Sequence, residues 1–592
     1  MSGKGKGKNK KSGQVSRAQQ QQQAAARRGL ATPGSSAGGT RADRQVGEQL
    51  TPVTESRDAG SRPASTMASQ VTPSPGPVAP VPVKVRHYVD VSAIRIQDWL
   101  GRTPDLKFRR GGSVLLSQAT ERRSWDGQLP AGALWNDEAG EVDGVVPLVL
   151  DDTAGVLDDT AGDLGDQAKD VARQVVERMR AAMPHCQIQA IAGQGESYAA
   201  AYPAMDVARR DGVLLIDSPP APPELFLAKP CDQCRAAAAT PPHVTVKTGE
   251  KPVDLCDECA ARLDAAGRTA GRPSEAPRPE RRLRQALADA GMEVADFSDT
   301  FADMAAAGQR DLDDKPTQLA LIYADGNKVG AFLTQAASTP GGPEKSALAP
   351  LLDQATLGAL ARAVIDRFHG WTTPPVLVNL AGGDDLLVSV PATDAWLFTK
   401  TLLGSFTAIL AREAAGWSRP VREAVPTMAV GLVFHHVTTP FSDVVRLAAA
   451  QLHDAKARTR GSAAIAFLDI TADGNAPPAG RLPVLLSDLD KQAAWLTQAA
   501  ALPGSRRQAL LDLYRSEDID GFIARLTDFG DNRPLWQIAA GPNATAPAAR
   551  EALRKSNAKR DEVRRALDIA RHWHAEPRTE EGQPTREEAL SR

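Results

Sequence analysis

The stretch Val376-Leu377-Val378-Asn379-Leu380-Ala381-Gly382-Gly383-Asp384-Asp385-Leu386-Leu387-Val388-Ser389-Val390 reads as two apolar strands joined by Gly-Gly-Asp-Asp. Two glycines permit a tight turn with φ > 0. Two carboxylates then sit side by side at the tip of that turn. Like charges that close repel unless a cation relieves them, and hard oxygen ligands suit Mg²⁺ or Mn²⁺. The tetrapeptide alone fits an Asp-rich hairpin turn without a metal equally well. Upstream, Leu319-Ala320-Leu321-Ile322-Tyr323-Ala324-Asp325-Gly326-Asn327-Lys328-Val329-Gly330 is an apolar strand ending on an acid and a glycine. In a split β-α-β-β unit the two stretches are neighbouring strands, so Asp325 is expected to converge with Asp384 and Asp385 on one point. Three carboxylates from adjacent strands suit two divalent ions about 3.5–4 Å apart, the arrangement that serves in-line nucleotidyl transfer.

The elements that must position these acids follow from periodicity. The pattern predicts strand Leu319–Ala324, helices from Val329 to about Arg367 broken at Pro340-Gly341-Gly342-Pro343, and strands Val376–Ala381 and Leu386–Val390. Helix Asp394–Ala414, strand Pro426–Phe434, helix Phe441–Ala457 and strand Ala463–Leu468 come after. This is β-α-β-β-α-β with one extra helix and strand, a ferredoxin-like palm. Lys456 lies near the end of the Phe441–Ala457 helix. It could reach the phosphates of a nucleotide, but its spacing alone is explained by the helix macrodipole. His435-His436 fits a base-stacking role or a sheet cap.

The earlier half repeats this order less completely. Strands at Tyr88–Ile94, Val145–Leu150, Gln187–Ala192 and Val213–Ile216 flank an amphipathic helix, Asp166–Met183. With no Gly-Gly-Asp-Asp hairpin, it reads as a degenerate duplicate of the palm. Gly111-Gly112-Ser113 reads as a capped helix start, or less readily as an anion site on free N–H groups.

Between the halves, Cys231-Asp232-Gln233-Cys234 and Cys256-Asp257-Glu258-Cys259 are separated by 21 residues. Paired CxxC knuckles offer four thiolates to one tetrahedral Zn²⁺ with no open position, so a structural zinc is expected. Cys186 stands apart as a buried free thiol. Residues 268–282 read as a linker, Leu283–Ala290 as a helix, and the acidic Asp296–Asp314 as a solvated connector. From about Arg481 to His574 the pattern is helical, with Arg564, Arg565 and Arg571 fitting an RNA or protein contact or a solvated face. The expected division is a disordered tail at 1–85, a first palm-like domain at 86–225, a zinc-binding insert and linker at 226–282, the second palm at 283–475, and a helical domain at 476–592.

Composition bounds the rest. A net charge of -2 argues against a globally basic nucleic-acid binder, and 42% hydrophobic residues suffice for sizeable cores. No uninterrupted apolar run reaches membrane-spanning length, so no membrane partner is expected, and the lysine-bearing N-terminus lacks the apolar segment of a secretory signal. Cysteine usage points to a reducing, cytoplasmic setting. Residues 1–85 are low in complexity and too polar to offset the entropy of ordering.

Taken in order, five features resemble the large, polymerase/cyclase-type subunit of type III CRISPR effector complexes. They are Ile94-Arg95-Ile96-Gln97-Asp98-Trp99 with Gly111-Gly112-Ser113, the paired CxxC insert, Tyr323 to Gly330, Gly382-Gly383-Asp384-Asp385, and Pro440-Phe441-Ser442 with Ala455-Lys456. The resemblance covers about residues 87–570. It implies synthesis of cyclic oligoadenylates from ATP by a second palm domain, with guide and target RNA as partners through other subunits of the complex. It implies Asp325, Asp384 and Asp385 as Mg²⁺ or Mn²⁺ ligands, Gly382 and Gly383 as nucleotide contacts, and Lys456 as the triphosphate lysine. Two departures stand out. The sole His-Asp dipeptide is His453-Asp454, inside a late helix, so no N-terminal His-Asp nuclease is expected. Asn327 also stands where such proteins often carry another acid. A stand-alone diguanylate-cyclase-like enzyme and a non-catalytic RNA–protein scaffold are the rival readings.

Overall fold

The computed structural model describes residues 85–574 apart from 141–143, 151–160, 212–214, 218–227, 241–251, 268–277, 299, 309–316, 340–342, 344 and 479. The expected disordered tail lies outside the described residues, save Val85. The N-terminal half runs β1 (Arg86–Ile94), α1 (Ile96–Gly101), α2 (Leu106–Thr120), β2 (Ala133–Trp135), β3 (Val145–Leu150), α3 (Ala161–Ala182), β4 (Gln187–Gly195), α4 (Tyr198–Asp211) and β5 (Leu215–Asp217). Its sheet has the order β2-β3-β1-β4-β5, with every neighbouring pair antiparallel. Alternation along β1 sends Val89, Val91 and Ala93 into a core with Trp99, Leu116, Val175 and Met179. Tyr88, on the other face, packs with Ile191, Tyr198 and Met205.

After α5 (Asp257–Ala265), α6 (Arg278–Asp289) and α7 (Phe301–Ala307), the second sheet is built from β6 (Gln318–Gly326), α8 (Val329–Ser338), α9 (Lys345–Phe368), β7 (Leu377–Gly382), β8 (Asp385–Pro391), α10 (Ala395–Glu413), α11 (Arg419–Glu423), β9 (Met428–His436), α12 (Phe441–Thr459), β10 (Ala464–Asp469), α13 (Ile470–Asp473) and β11 (Val484–Leu485). The strand order is β11-β10-β9-β6-β8-β7. Both sheets therefore contain the ferredoxin-like arrangement in which the first strand lies between the third and fourth. The second adds β10, parallel to β9. One face of this sheet presents Ala320, Ile322, Val388 and Leu432 to Ala359, Leu360, Leu402 and Phe406 of α9 and α10. The opposite face presents Leu321, Leu387 and Val433 to Phe441, Val444 and Ala448 of α12.

Six helices close the described chain: α14 (Leu486–Ala500), α15 (Gly504–Arg515), α16 (Ile519–Thr527), α17 (Arg533–Ala540), α18 (Ala546–Lys555) and α19 (Asn557–Ala570). They dock on the second sheet through Asp469 at the end of β10. Its carboxylate contacts His572 Nε2 at 3.0 Å, Arg571 at 3.2 Å and the Thr471 N–H at 3.0 Å. The His572 ring stacks on Phe434 with centroids 4.1 Å apart. Arg571 is thus an internal tie. Arg571 is partly exposed, whereas Arg564 is buried and pairs with Asp568 at 3.5 Å, and burial lowers the pKa of the Arg565 guanidinium. These arginines do not form the exposed row that a solvated face would need.

Several expectations need correction. Gly111-Gly112-Ser113 is not a helix start: α2 begins at Leu106, capped by Asp105, whose carboxylate accepts the Lys107 N–H at 2.9 Å. Asp296–Asp314 is not a uniformly solvated connector, because Phe297, Met304 and Ala305 are buried and α7 lies within it. The linker's last residues, 278–282, are the first turns of α6. Helix α4 was not expected; it carries Pro203 in its interior, which obscures the helical pattern. Ala347–Phe368 is long and apolar enough, by length and composition, to cross a membrane, but half of it is buried inside the protein, where it serves as the core helix α9.

Candidate active site

Paired Gly382 and Asp385 close the β7–β8 hairpin. The two-residue turn between them holds Gly383 at φ +60, the left-handed region that favours glycine. Asp325 lies one residue before the end of β6, which is hydrogen-bonded to β8. A second glycine sets how closely the two acids approach. A Cβ at Gly326 would lie 2.7 Å from Asp384 Oδ2 and 2.5 Å from Val329 Cγ2. Only a residue without a side chain lets the turn's carboxylate lie over the end of β6.

Lys456 reaches this spot from the last turns of α12. Its ammonium donates to the Asp325 carboxylate and, at 2.9 Å, to the Gly326 carbonyl. The lysine thus sits on the first acid. Burial pushes the Asp384 carboxyl up to about 7, and the charge of Asp325 and a hydrogen bond with it add to the effect. Asp385 is likewise pushed up to about 7, by burial and then by the charges of Asp325 and Asp384. Tyr323, two residues before Asp325 on the same strand, is pushed up by burial and then by the charges of Asp385, Asp325 and Asp98. Asp98 belongs to α1, so the N-terminal half contributes negative charge to this centre.

The acids are neighbours: Asp384 hydrogen-bonds Asp325, and the charges of both bear on Asp385. Among the described residues, the four cysteines form the group of potential ligands whose atoms lie within 4.8 Å of one another; the three aspartates do not form a second. The physical reason is visible: the Lys456 ammonium already satisfies Asp325, while Asp384 and Asp385 occupy successive positions at the hairpin tip. The residues nonetheless fit a hard divalent cation. A carboxylate and a backbone carbonyl already share one cation, the lysine's, and two further carboxyls beside it are starved of positive charge.

The glycine turn is held from behind by groups that sequence reasoning did not find. Thr356 of α9 donates to the Gly383 carbonyl at 2.7 Å, and Asp353 Oδ1 accepts the Gly383 N–H at 3.3 Å. Asn327 is 4% exposed, and its Nδ2 donates to Thr427 Oγ1 at 2.9 Å and to the Ser462 carbonyl at 3.1 Å. It fastens the end of β6 to two loops and adds no oxygen to the acidic cluster. His435 is buried, with its ring edge-on to Phe301 and its pKa pushed down to about 4 by burial. It packs inside the protein and has no exposed face on which a base could stack.

The second candidate metal centre is the cysteine cluster. Cys231, Cys234, Cys256 and Cys259 bring their sulfurs within 4.8 Å of one another, and Cys234 Sγ and Cys256 Sγ are 3.7 Å apart. The edge of a tetrahedron with Zn–S bonds of about 2.3 Å is about 3.8 Å, so the donor set fits zinc. Cys259 lies in the first turn of α5, which crosses α2 so closely that a Cβ at Gly111 would lie 1.7 Å from the Arg262 carbonyl. Glycine at 111 therefore serves helix packing, not anion binding. Arg262, fully buried, donates to the Trp99 carbonyl at 2.8 Å and pairs with Glu258 at 2.7 Å, which ties the cysteine-bearing helix to the N-terminal half. Cys186 is buried, and burial pushes its thiol up to about 12.

Comparison with known proteins finds similarity to one family model and to several solved structures. Residues 318–464 match the family model of the Cas10/Cmr2 second palm domain. The fold is also similar to solved Csm1-Csm4 structures. A cassette in complex with AMPPNP aligns with 12% identity and a TM-score of 0.46, covering 82% of this chain and 69% of that one. A cassette in complex with cA4 gives 14% identity and a TM-score of 0.45 over the same shares. A subcomplex described as part of the type III-A CRISPR-Csm interference complex gives 14% identity and a TM-score of 0.43, covering 82% and 70%. No curated protein matches the sequence.

Proposed function

With a Cas10/Cmr2 second palm domain at residues 318–464 as the premise, we propose that this chain is a metal-dependent nucleotidyltransferase. It joins ATP into cyclic oligoadenylates and works as the large subunit of a type III, RNA-guided complex. The observation that carries the reading is the cation-seeking cluster at the edge of the second sheet. There, the Lys456 ammonium lies on Asp325 and the Gly326 carbonyl, beside two carboxyls raised to about 7.

In this reading Asp325, Asp384 and Asp385 hold Mg²⁺ or Mn²⁺. Divalent ions at such a site lower the pKa of an attacking hydroxyl and neutralise charge at the α-phosphate. With Asp325 so engaged, Lys456 is released to pair with the triphosphate as a point charge. Gly382 and Gly383 contribute by lacking side chains, since the Gly383 N–H is given to Asp353; the nucleotide passes close over them. The four cysteines hold a structural zinc. The chain's own contribution is position and electrostatics.

The test is incubation with ATP or GTP and Mg²⁺ or Mn²⁺, with and without RNA-loaded partner subunits, followed by product identification. Cyclic oligoadenylates support the reading. Cyclic di-GMP from GTP would replace it with a diguanylate cyclase. No product under any condition would favour the scaffold.

A further inference from the structure

The first turns of α6 carry three consecutive charged residues, two fastened to α2 and its C-cap and the third to α9. Glu280, fully buried, accepts from Arg110 Nη2 of α2 at 2.7 Å. Arg281 donates to Glu121, the residue that caps α2, at 2.8 Å. Arg282 grips Asp353 of α9 through both Nη atoms, one of them at 3.0 Å. Asp353 in turn accepts the Gly383 N–H, and Thr356, nearly one turn further along α9, donates to the Gly383 carbonyl.

Both polar groups of residue 383 are therefore held by α9. The holder is itself held by α6, which is pinned to the N-terminal half. Residue 383 sits at φ +60 and directly precedes Asp384. Rotation of the peptide between them would swing that carboxylate away from the end of β6. A two-bonded guanidinium fixes the plane of its carboxylate as well as its place, and a carboxylate committed in this way is not available as a metal ligand.

We propose that Asp353 and Thr356 are positioning residues for the acidic turn, and that Arg282 links the turn's geometry to α6 and, through Glu280 and Arg281, to the N-terminal half. This rests on the reading of Asp384 and Asp385 as metal ligands. Partners that orient metal ligands typically govern affinity by about 10–100-fold. Movement of the N-terminal half against α9 would then be transmitted to the metal-binding acids through the α2–α6 ion pairs, the Arg282–Asp353 pair and the Asp353–Gly383 hydrogen bond.

The experiment is Mn²⁺ titration of the zinc-loaded full chain, with the free Mn²⁺ signal followed by electron paramagnetic resonance. Wild type should bind Mn²⁺, and Asp384→Ala with Asp385→Ala should lose it. Thr356→Val and Asp353→Ala should each weaken binding by about tenfold. Thr356→Ser should stay near wild type, a rescue that general loosening of α9 would not give. Arg282→Met should weaken binding in the same direction as Asp353→Ala. Should Asp353→Ala fail to fold, the Thr356→Val and Thr356→Ser pair decides. Unchanged affinity in Thr356→Val and Asp353→Ala, beside its loss in the double alanine variant, overturns the inference and leaves the metal site standing. Wild-type binding that the double alanine variant does not reduce overturns the metal site, and this inference with it.

Discussion

Replacing Asp384 and Asp385 by Asn should stabilise the metal-free protein at neutral pH. A carboxyl raised from 3.8 to about 7 costs the folded state about 4 kcal/mol once it is ionised. The two do not simply add, because each is raised in part by the charge of the other. Partial exposure screens them further, so the pair should weigh about 2–4 kcal/mol against folding. The sign follows from proton binding. Between about pH 4 and 7 the folded chain holds protons that the unfolded chain has released, so stability falls as pH rises through that window and levels off above it. Urea denaturation from pH 5 to 8 in magnesium-free buffer, with zinc retained, measures this. Wild type should lose stability toward pH 8 relative to the double Asn variant, and millimolar Mg²⁺ or Mn²⁺ should restore it in wild type alone. Identical pH profiles, or a double variant less stable than wild type at pH 8, would refute the crowded-acid account.

Other outcomes can be measured independently. Asp469→Asn should destabilise the fold by about 3–5 kcal/mol, because it strands the buried partners of an ion pair. Burial raises the Asp469 carboxyl, but His572, Thr471 and Arg571 outweigh it and hold the group well below the usual range. Its contribution is therefore complete above about pH 4 and lost as pH falls further, and acid unfolding of the variant against wild type should show less of that loss. Purified protein should contain near one zinc per chain by metal analysis, and Cys231→Ser with Cys256→Ser should release it; a fully folded wild type without zinc would contradict the assignment. Lys456→Ala should weaken ATP binding by about 1.5–3 kcal/mol, the scale of a charge-assisted bond, read by calorimetry in the presence of Mg²⁺.

The palm was legible because its strands are apolar and end in unmistakable punctuation. Asp325-Gly326 and Gly382-Gly383-Asp384-Asp385 mark the ends of β6 and β7 to within a residue or two. Short elements were less so. The three residues of β2 and two of β11 offer too few positions for alternation to register. Gly111 misled because a glycine pair next to serine has the composition of a helix entry, while its actual cause, the crossing of α5, is a contact about 150 residues away in the chain. The same holds at the site. Lys456 was found by its place in a motif, but its pairing with Asp325 depends on how α12 lies on the sheet. Asp353 and Thr356 carry no signal of their own: an Asp and a Thr on an apolar helix are indistinguishable from capping or surface residues until the turn they hold is folded against them. In sequence Arg282 reads as linker because Arg278–Arg282 follows a Pro-rich stretch, although in the structure these residues are the first turns of the helix that carries Leu283 and Leu287.

The central claim is that this acidic turn performs nucleotidyl transfer. The most direct measurement is pyrophosphate released per chain from ATP and Mg²⁺ in an RNA-loaded complex, with wild type and Asp384→Asn with Asp385→Asn run side by side. The account predicts steady pyrophosphate release by wild type and its loss in the variant, with zinc content and melting behaviour showing that the variant is folded. Equal release by both chains would contradict it.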